Sequence, residues 1–312
     1  MKDAAGGTQA GPTNGPNTGP TTGRLFVVAT PIGNLGDVTF RAIEVLKTVP
    51  LVAAEDTRHT RRLFARYEIG TSLVSYHAQS GRGREVELLD HLRSGRDLAL
   101  VTDAGTPLVS DPGGELAAAW ASEGGVVVPI PGASAVLAAL VASGLSVAHW
   151  TFEGFLPRSG KERRVRLARI ASDERACVVY EAPSRVPATL ADLAVATGGE
   201  RRAAVCRELT KIHEEVVRGP LADLAEKGAA GAITLRGEFV IVVEAVAAGA
   251  ARTAGAAGVG AAKQFAGKQP ASMDDGRAEV ARLVAAGSKR SEAVRQVSAA
   301  TRLDRRELYR PG

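Results

Sequence analysis

From residue 24 to residue 144 the chain alternates short apolar runs with segments of helical periodicity, and this rhythm restricts the fold more than anything else in the sequence. LFVVAT (25–30) is strand-like, whereas TFRAIEVLKTV (39–49) places Ala42, Ile43, Leu46 and Val49 on one helical face. LVAAED reads as the next strand and RHTRRLFARYEI as a helix with several arginines on its outer side. SLVSYH, a helix around GREVELLDHLRSG and the strand DLALVTDAG repeat the pattern; ELAAAWASEG, VVVPIPG and ASAVLAALVASG complete it. Strands alternating with helices of this length predict a largely parallel sheet covered on both faces. The functional loops of such a sheet lie at the carboxyl ends of its strands.

HWTFEGFLPRSG (149–160) breaks the rhythm and marks a boundary between an N-terminal parallel α/β domain (24–148) and a mixed α/β domain (149–245). The second half strings together KERRVRLARIAS, ACVVYEAP, SRVPATLADLAVA, AAVCREL, HEEVVRGPLADLAEKG and EFVIVVEA less regularly. Residues 1–23, rich in Gly, Pro, Thr and Asn and without an apolar stretch, read as a disordered tail and not as a signal peptide. Residues 246–272 read as an Ala/Gly-rich linker, and 273–312 as a helical extension of two or three short helices. A charged fraction of 23% and a hydrophobic fraction of 45% fit a soluble globular protein, and no apolar run has the length of a membrane span. Cys177 and Cys206 each sit in an apolar run and read as buried, reduced thiols of a cytoplasmic protein. No Cys/His spacing suggests a metal site. The net charge of +5 is concentrated at the end: residues 246–312 carry twelve Lys or Arg against six Asp or Glu. A basic tail on a near-neutral body points to a polyanion partner.

Three loops follow apolar runs in the first half: TPIGNLGD (30–37), TDAGTPLVSDPGG (102–114) and PIPGASA (129–135). A parallel sheet brings such loops to one edge, the default geometry of a small-molecule site. Several chemistries are missing from them. There is no GxxxxGK[ST] phosphate loop and no GxGxxG after the first strand, and neither GxSxG nor HExxH occurs. Each loop alone is ordinary turn vocabulary.

In their order along the chain, TPIGNLGD, AEDTRHT, SYH, VTDAGTPLVSDPG, PGASAV, FEGFLPR, VVYEAPSR and CRELTKIHEE form a longer signature. This set resembles the ribosomal RNA small subunit methyltransferase I family, the 2′-O-ribose methylases of a decoding-centre cytidine in 16S rRNA, within the tetrapyrrole-methylase superfamily. The resemblance covers roughly residues 24–245 and, more loosely, the end at DRRELYR. It implies two α/β domains with S-adenosyl-L-methionine held in the cleft between them, a homodimer, and no metal. On the family pattern Asp103, Ala104, Gly105, Thr106 and Pro107 face the cofactor, as do Pro131, Gly132, Ala133 and Ser134. Pro31 and Gly33 lie at the same cleft, and Tyr180 with Cys206, Arg207 and Glu208 close over the adenosine.

The residue types suit that chemistry. Methyl transfer from a sulfonium asks the protein mainly for alignment and a dry site. Gly105 and Gly132 let backbone amides approach the cofactor, Pro107 and Pro131 stiffen the loops, and Asp103 can accept from a ribose hydroxyl or an ammonium group. Asp111, followed by Pro112, reads instead as the cap of the helix that begins at Gly114–Glu115. A general base for the acceptor hydroxyl is not legible; Glu55, Asp56 and Glu181 stand at predicted strand ends, with His77 and His213 as further candidates. Arg58, Arg61 and Arg62 share one helical face where they could follow RNA phosphates, and Arg158, Lys161, Arg163 and Arg164 form a second basic cluster. The aromatic content of 4% speaks against extensive base stacking. Two alternatives remain open at this point: a tetrapyrrole C-methyltransferase of the same fold, and a non-catalytic RNA-binding assembly factor.

Overall fold

A computed structural model describes residues 22–245, 273–285, 290–301 and 303–309. Residues 1–21 of the expected tail and the whole expected linker 246–272 lie outside them. The described residues divide into two compact units: one holds residues up to 168 together with 175–245, the other 169–174 and the C-terminal helices.

The first unit contains two five-stranded sheets. In the first, β1 (Arg24–Val28), β2 (Leu51–Ala54), β3 (Ser72–Ser75), β4 (Leu98–Val101) and β5 (Val126–Ile130) are all parallel, in the order β3-β2-β4-β1-β5. The helices α1 (Phe40–Thr48), α2 (Thr57–Tyr67), α3 (Arg82–Arg93) and α4 (Gly114–Ser122) cover it. Side-chain alternation along β1 assigns the faces. Phe26 and Val28 pack with Ala42 and Leu46 of α1 and Leu63 and Phe64 of α2. Leu25 and Val27 pack with Leu88 and Leu92 of α3 and Leu116 and Trp120 of α4. Covered on both faces, central β4 is apolar at every position, as its sequence LALV requires. Pro129 is tolerated because β5 is an edge strand. Side-chain caps start α1 and α2: Thr39 accepts from the Ala42 amide at 3.1 Å, and Asp56 from the Arg58 amide at 2.8 Å.

The chain leaves β1 towards β2 through α1, and leaves β4 towards β5 through α4, on opposite faces and in opposite directions across the sheet. β1 and β4 are neighbours, so their carboxyl ends mark the point where the strand order reverses, the place at which such sheets bind ligands.

The second sheet is mixed, in the order β6-β7-β10-β8-β9, with β6 (Trp150–Phe155) parallel to β7 (Ala176–Glu181). β10 (Phe239–Val243) runs antiparallel to β7 and to β8 (Arg202–Arg207), which pairs antiparallel with β9 (Glu215–Pro220). The stretch 149–160, read from sequence as an interruption, contains β6. A register shift between Phe152 and Gly154 breaks the two-residue alternation that would have revealed the strand. The helices α7 (Val186–Thr197) and α8 (Leu221–Ala229) belong to this half, as does α6 (Gly160–Ser172) up to residue 168. The helix α5 (Ala135–Ser143) follows β5 in the chain but packs Val136, Ala139 and Leu140 on Val178, Ala204, Cys206, Val240 and Val242 of the second sheet. The loop between β5 and α5 is therefore fixed by the first sheet at one end and the second at the other.

The helices α9 (Met273–Ala285), α10 (Arg290–Thr301) and α11 (Arg305–Tyr309) enclose a small core of Val280, Ala293, Val294, Val297 and Leu308. No helix among the described residues is long and apolar enough to cross a membrane.

Candidate active site

The three glycine- and proline-bearing loops meet at the carboxyl ends of β1 and β4. Thr30 and Gly105 form a two-bond bridge, Gly105 N–H donating to the Thr30 carbonyl at 3.0 Å and Thr30 N–H to the Gly105 carbonyl at 2.8 Å. Both backbone groups of Gly105 are thus engaged with the first loop. The expectation that its amide meets a ligand gives way to a conformational reason for glycine, a φ of +82°. The Thr106 hydroxyl donates to the Ala133 carbonyl at 3.3 Å and ties in the third loop. Gly132 passes against the end of β1, where an added Cβ would stand 2.9 Å from Cβ of Ala29. The central loop holds two further left-handed residues, Leu108 and Ser110, a concentration of strain of the kind found at ligand clamps.

Two cavities open on these loops. The first, about 380 Å³, is lined from the loops by Ile32, Ala104, Gly105, Thr106, Val109, Asp111 and Ser134, and from the second sheet by Phe155, Tyr180, Phe239 and Val240. Its wall is largely apolar and aromatic. Tyr180 is edge-on to Phe152 and Phe155 with ring centroids 4.8 and 5.6 Å away, and burial pushes its hydroxyl up to about 12. The second cavity, about 320 Å³, sets charged and polar side chains among apolar ones: Thr30, Pro31, Gly33, Leu35, His59, Thr60, Arg62, Leu63, Thr102, Asp103 and Lys211 line it. Both volumes fall within the roughly 300–1,000 Å³ of small-molecule sites. The strand-end segment from Thr102 to Thr106 runs from the wall of one into the wall of the other.

The carboxylates around this segment have different environments. Asp103 Oδ1 accepts from the Asp56 amide at 3.0 Å, and the Asp103 amide approaches Glu55 Oε2 at 3.4 Å, so the ends of β2 and β4 are clasped together. Burial raises Glu55 above its ordinary value, and the neighbouring charge of Asp103 adds to this. Asp56 is held far below the carboxylate range by Arg58, whose guanidinium and amide it accepts from while it caps α2. Asp111 is not the cap of α4: that position is Gly113, at φ +110°, with no side-chain cap. Asp111 lines the first cavity instead, where burial first, then the charges of Glu55 and Asp103, push it up to about 6 against the pull of Thr102. Glu181, another candidate base, is fully occupied. Its oxygens accept from the Thr189 hydroxyl at 2.6 Å and the Ala182 amide at 2.9 Å, and Arg185 Nε lies 3.1 Å away.

The model of the tetrapyrrole (corrin/porphyrin) methylases matches residues 24–225. A "Ribosomal RNA small subunit methyltransferase I" of Synechocystis sp. is 45% identical over 287 residues, covering 92% of this chain and 96% of the relative. Its namesake in Bacillus subtilis is 46% identical over 222 residues, covering 71% of this chain and 75% of the relative. The chain belongs to the small subunit methyltransferase I family. It is a methyltransferase of the tetrapyrrole-methylase fold. Among solved structures, a cobalt precorrin-4 methyltransferase aligns with a TM-score of 0.56 at 18% identity, over 71% of this chain and 94% of that one. A uroporphyrin-III C-methyltransferase from Thermus thermophilus, complexed with S-adenyl homocysteine, aligns with a TM-score of 0.51 at 21% identity, over 71% and 97%.

Within this member of the methyltransferase I family, the expected site residues separate into groups. Ala104, Gly105, Thr106, Ser134 and Tyr180 line the first cavity; Pro31, Gly33 and Asp103 line the second. Pro107, Pro131, Gly132 and Ala133 belong to the same loops without lining either. Cys206 is buried in the core, its thiol raised to about 11 by burial, and Cys177 is also free and buried. Arg207 pairs with Glu215 at 2.8 Å, and Glu208 with Lys211 at 2.8 Å. Cys206 and Arg207 stand behind the wall, paired through β8 with Val240 and Phe239 of β10. His77 shapes a turn through its Nδ1, which accepts from the Gln79 amide, and His213 is exposed.

Of the arginines on α2, Arg58, Arg61 and Arg62 are all exposed, but only Arg62 reaches a cavity. Arg158, Lys161 and Arg164 are exposed; Arg163 is not part of that surface. It is buried and donates to Asp192 at 2.7 Å, the Pro157 carbonyl at 2.9 Å and the Thr189 hydroxyl at 3.0 Å. Helical periodicity placed it one turn among other cations and carried no sign of this long-range partner set. Sequence reasoning also missed Asp111, Phe155, Phe239, His59 and Lys211 as cavity residues. His59, Asp111, Phe155 and Lys211 lie inside quoted motifs; nothing local tells which residues of a motif turn inward. Among the described residues no group of three or more His, Cys, Asp or Glu is arranged to hold a metal ion.

Proposed function

We propose that the protein transfers the methyl group of S-adenosyl-L-methionine to the ribose 2′-hydroxyl of a cytidine in the decoding region of 16S rRNA. It does so in the cytoplasm, on the small ribosomal subunit, as a homodimer. The observation that carries this reading is the pair of cavities that share the wall 102–106, one lined by Phe155, Tyr180 and Phe239, the other carrying His59, Arg62, Asp103 and Lys211. A donor and an acceptor need two such compartments that touch at one point, because in-line displacement requires the reacting atoms about 3–3.5 Å apart.

The first cavity fits a nucleoside with a cationic tail. Phe155, Tyr180 and Val240 offer an apolar bed for a heterocycle, and Ala104 to Thr106 a backbone edge. Burial, and after it the neighbouring charges of Glu55 and Asp103, raises the carboxyl of Asp111, and a cation bound beside it in the cavity favours its charged form. When bound, S-adenosyl-L-methionine supplies a methyl group already activated by its sulfonium sulfur. Asp111 holds the charge, the loops exclude water, and Pro107 and Pro131 stiffen the walls. As the acceptor oxygen takes the methyl carbon, the sulfur keeps the electron pair of the broken bond and the hydroxyl proton passes to water or a carboxylate. Arg58, Arg61, Arg158, Lys161 and Arg164 lie on exposed faces where RNA phosphates can be followed.

The test is labelled S-adenosyl-L-methionine incubated with the full chain and, in parallel, small ribosomal subunits or a porphyrinogen. Label is expected in 16S rRNA, resistant to alkaline cleavage at one cytidine. Label in the tetrapyrrole, or in neither, overturns the reading.

A further inference from the structure

The second cavity lies across the wall 102–106 from the one proposed for the methyl donor. Lys211 is carried there on a loop in which Glu208 and Thr210 both take left-handed backbone angles, φ +50° and +66°. Its stem lies across Gly33, where an added Cβ would stand 2.4 Å from Cγ of Lys211. Its ammonium is neutralised by Glu208 at 2.8 Å and Glu238 at 3.2 Å, and Glu238 itself lines the first cavity. Lys211 therefore braces the partition between the two compartments. Arg62, at the cavity rim, is exposed and makes no ion pair among the described residues; His59, also exposed, stands three residues before it on the first turn of α2.

We infer that this second cavity receives one nucleotide drawn out of the RNA stack, with Arg62 on its phosphate, His59 and Leu35 against its base, and its ribose turned to the partition at Thr102–Asp103. The inference rests on the rRNA reading above and adds to it the pocket and the state of the substrate. Volume decides the number of units: about 320 Å³ takes a single nucleotide and no base pair. Chemistry decides the orientation. The uncompensated guanidinium of Arg62 is at the rim, where a phosphate remains part of the strand, while Asp103, whose carboxylate can accept from a ribose hydroxyl, lines the wall shared with the first cavity. Extrusion follows, since a stacked nucleotide cannot carry its 2′-oxygen into a recess of this size. The methyl carbon passes from sulfur to this oxygen at the partition, the electron pair of the carbon–sulfur bond staying on sulfur and the hydroxyl proton leaving to water or a carboxylate.

Three full-length variants test it: Arg62→Glu, His59→Ala and Leu35→Trp, the last filling the cavity. Methylation of small subunits should show KM raised tenfold or more for Arg62→Glu and kcat lowered tenfold or more for Leu35→Trp. Calorimetric affinity for S-adenosyl-L-methionine should stay within twofold of the unaltered chain in all three. Millimolar cytidine 5′-monophosphate, followed by NMR, should shift the His59 ring signals of the unaltered chain and not of Arg62→Glu. Unchanged KM and kcat, a parallel loss of methyl-donor affinity, or an unmoved His59 signal each overturns the inference. Failure of the unaltered chain to label RNA overturns the rRNA reading instead, and the nucleotide titration still reports on the cavity.

Discussion

Asp111 shows how a single residue's environment decides its role. Half-buried against the apolar cavity, with Glu55 and Asp103 nearby, it titrates at about 6. Its folded value lies above its ordinary 3.8, so the folded chain binds this proton more tightly than the unfolded chain does. Stability from this group is therefore full below about pH 4 and is lost as pH rises through about 6. Asp111→Asn should raise Tm at about pH 8 and leave it unchanged near pH 4, a difference that thermal melts at the two values measure. The same change should weaken binding of S-adenosyl-L-methionine above pH 6 and flatten the fall in affinity that the unaltered chain shows below it; equal calorimetric affinities at both values would remove Asp111 from the cofactor site. Glu181 is the opposite case. Bound on both oxygens and linked through Thr189 to Arg163, it serves the join between β7, α6 and α7. Glu181→Gln should cost roughly 1–3 kcal/mol in urea unfolding and keep the pH profile of kcat. A lost acidic limb would make Glu181 the base after all.

At the scale of elements, the loop after β4 does most to build the site. The direction of its backbone is set by Gly105, Leu108, Ser110 and Gly113, all at positive φ. Gly113 is the most constrained: at φ +110° an added Cβ would also stand 2.5 Å from Cδ2 of Leu100. Gly113→Ala should destabilise the chain by roughly 1–3 kcal/mol and lower methyl-donor affinity, because Asp111 is anchored two residues away. Denaturant midpoints and calorimetry check the two effects, and a neutral result in both would show that the loop tolerates rearrangement. The sequence allowed the elements around this loop to be read because local signals coincide there: apolar runs, caps and turn residues agree on β1, β4 and β5 and on α1 and α2. β6 escaped because its alternation is broken at a bulge. The Asp111 reading failed for a similar reason. Asp-Pro before a helix is a local cap signal, whereas the direction of its carboxylate is set by strained backbone on either side and by a cavity half made from a distant sheet. Arg163 and Lys211 likewise depend on partners far along the chain, Thr189 and Gly33, which spacing within a segment cannot reveal.

For the whole molecule, charge and core organisation point the same way. The +5 net charge resides beyond residue 245, where basic residues outnumber acidic ones two to one, while the remainder is close to neutral. Among the described residues, the core of α9, α10 and α11 is made only from that region, and the cores on both faces of the first sheet and on the α5 face of the second use none of it. A chain ending at residue 245 should therefore keep its fold and its two cavities while losing six units of positive charge. If the basic end neutralises ribosomal RNA phosphates, association with small subunits should weaken on truncation. The slope of log K against log salt should become shallower too, by about 0.7 for each single-strand phosphate that the shortened chain leaves to its counterions. Affinity for S-adenosyl-L-methionine should not change, since no residue beyond 245 lines either cavity among the described residues. Binding of labelled subunits across a salt series, beside calorimetry of the methyl donor, separates the outcomes. An unaltered salt slope would mean that these cations face solvent in the complex, and matched losses in both measurements would mean that the C-terminal helices support the fold and not the RNA.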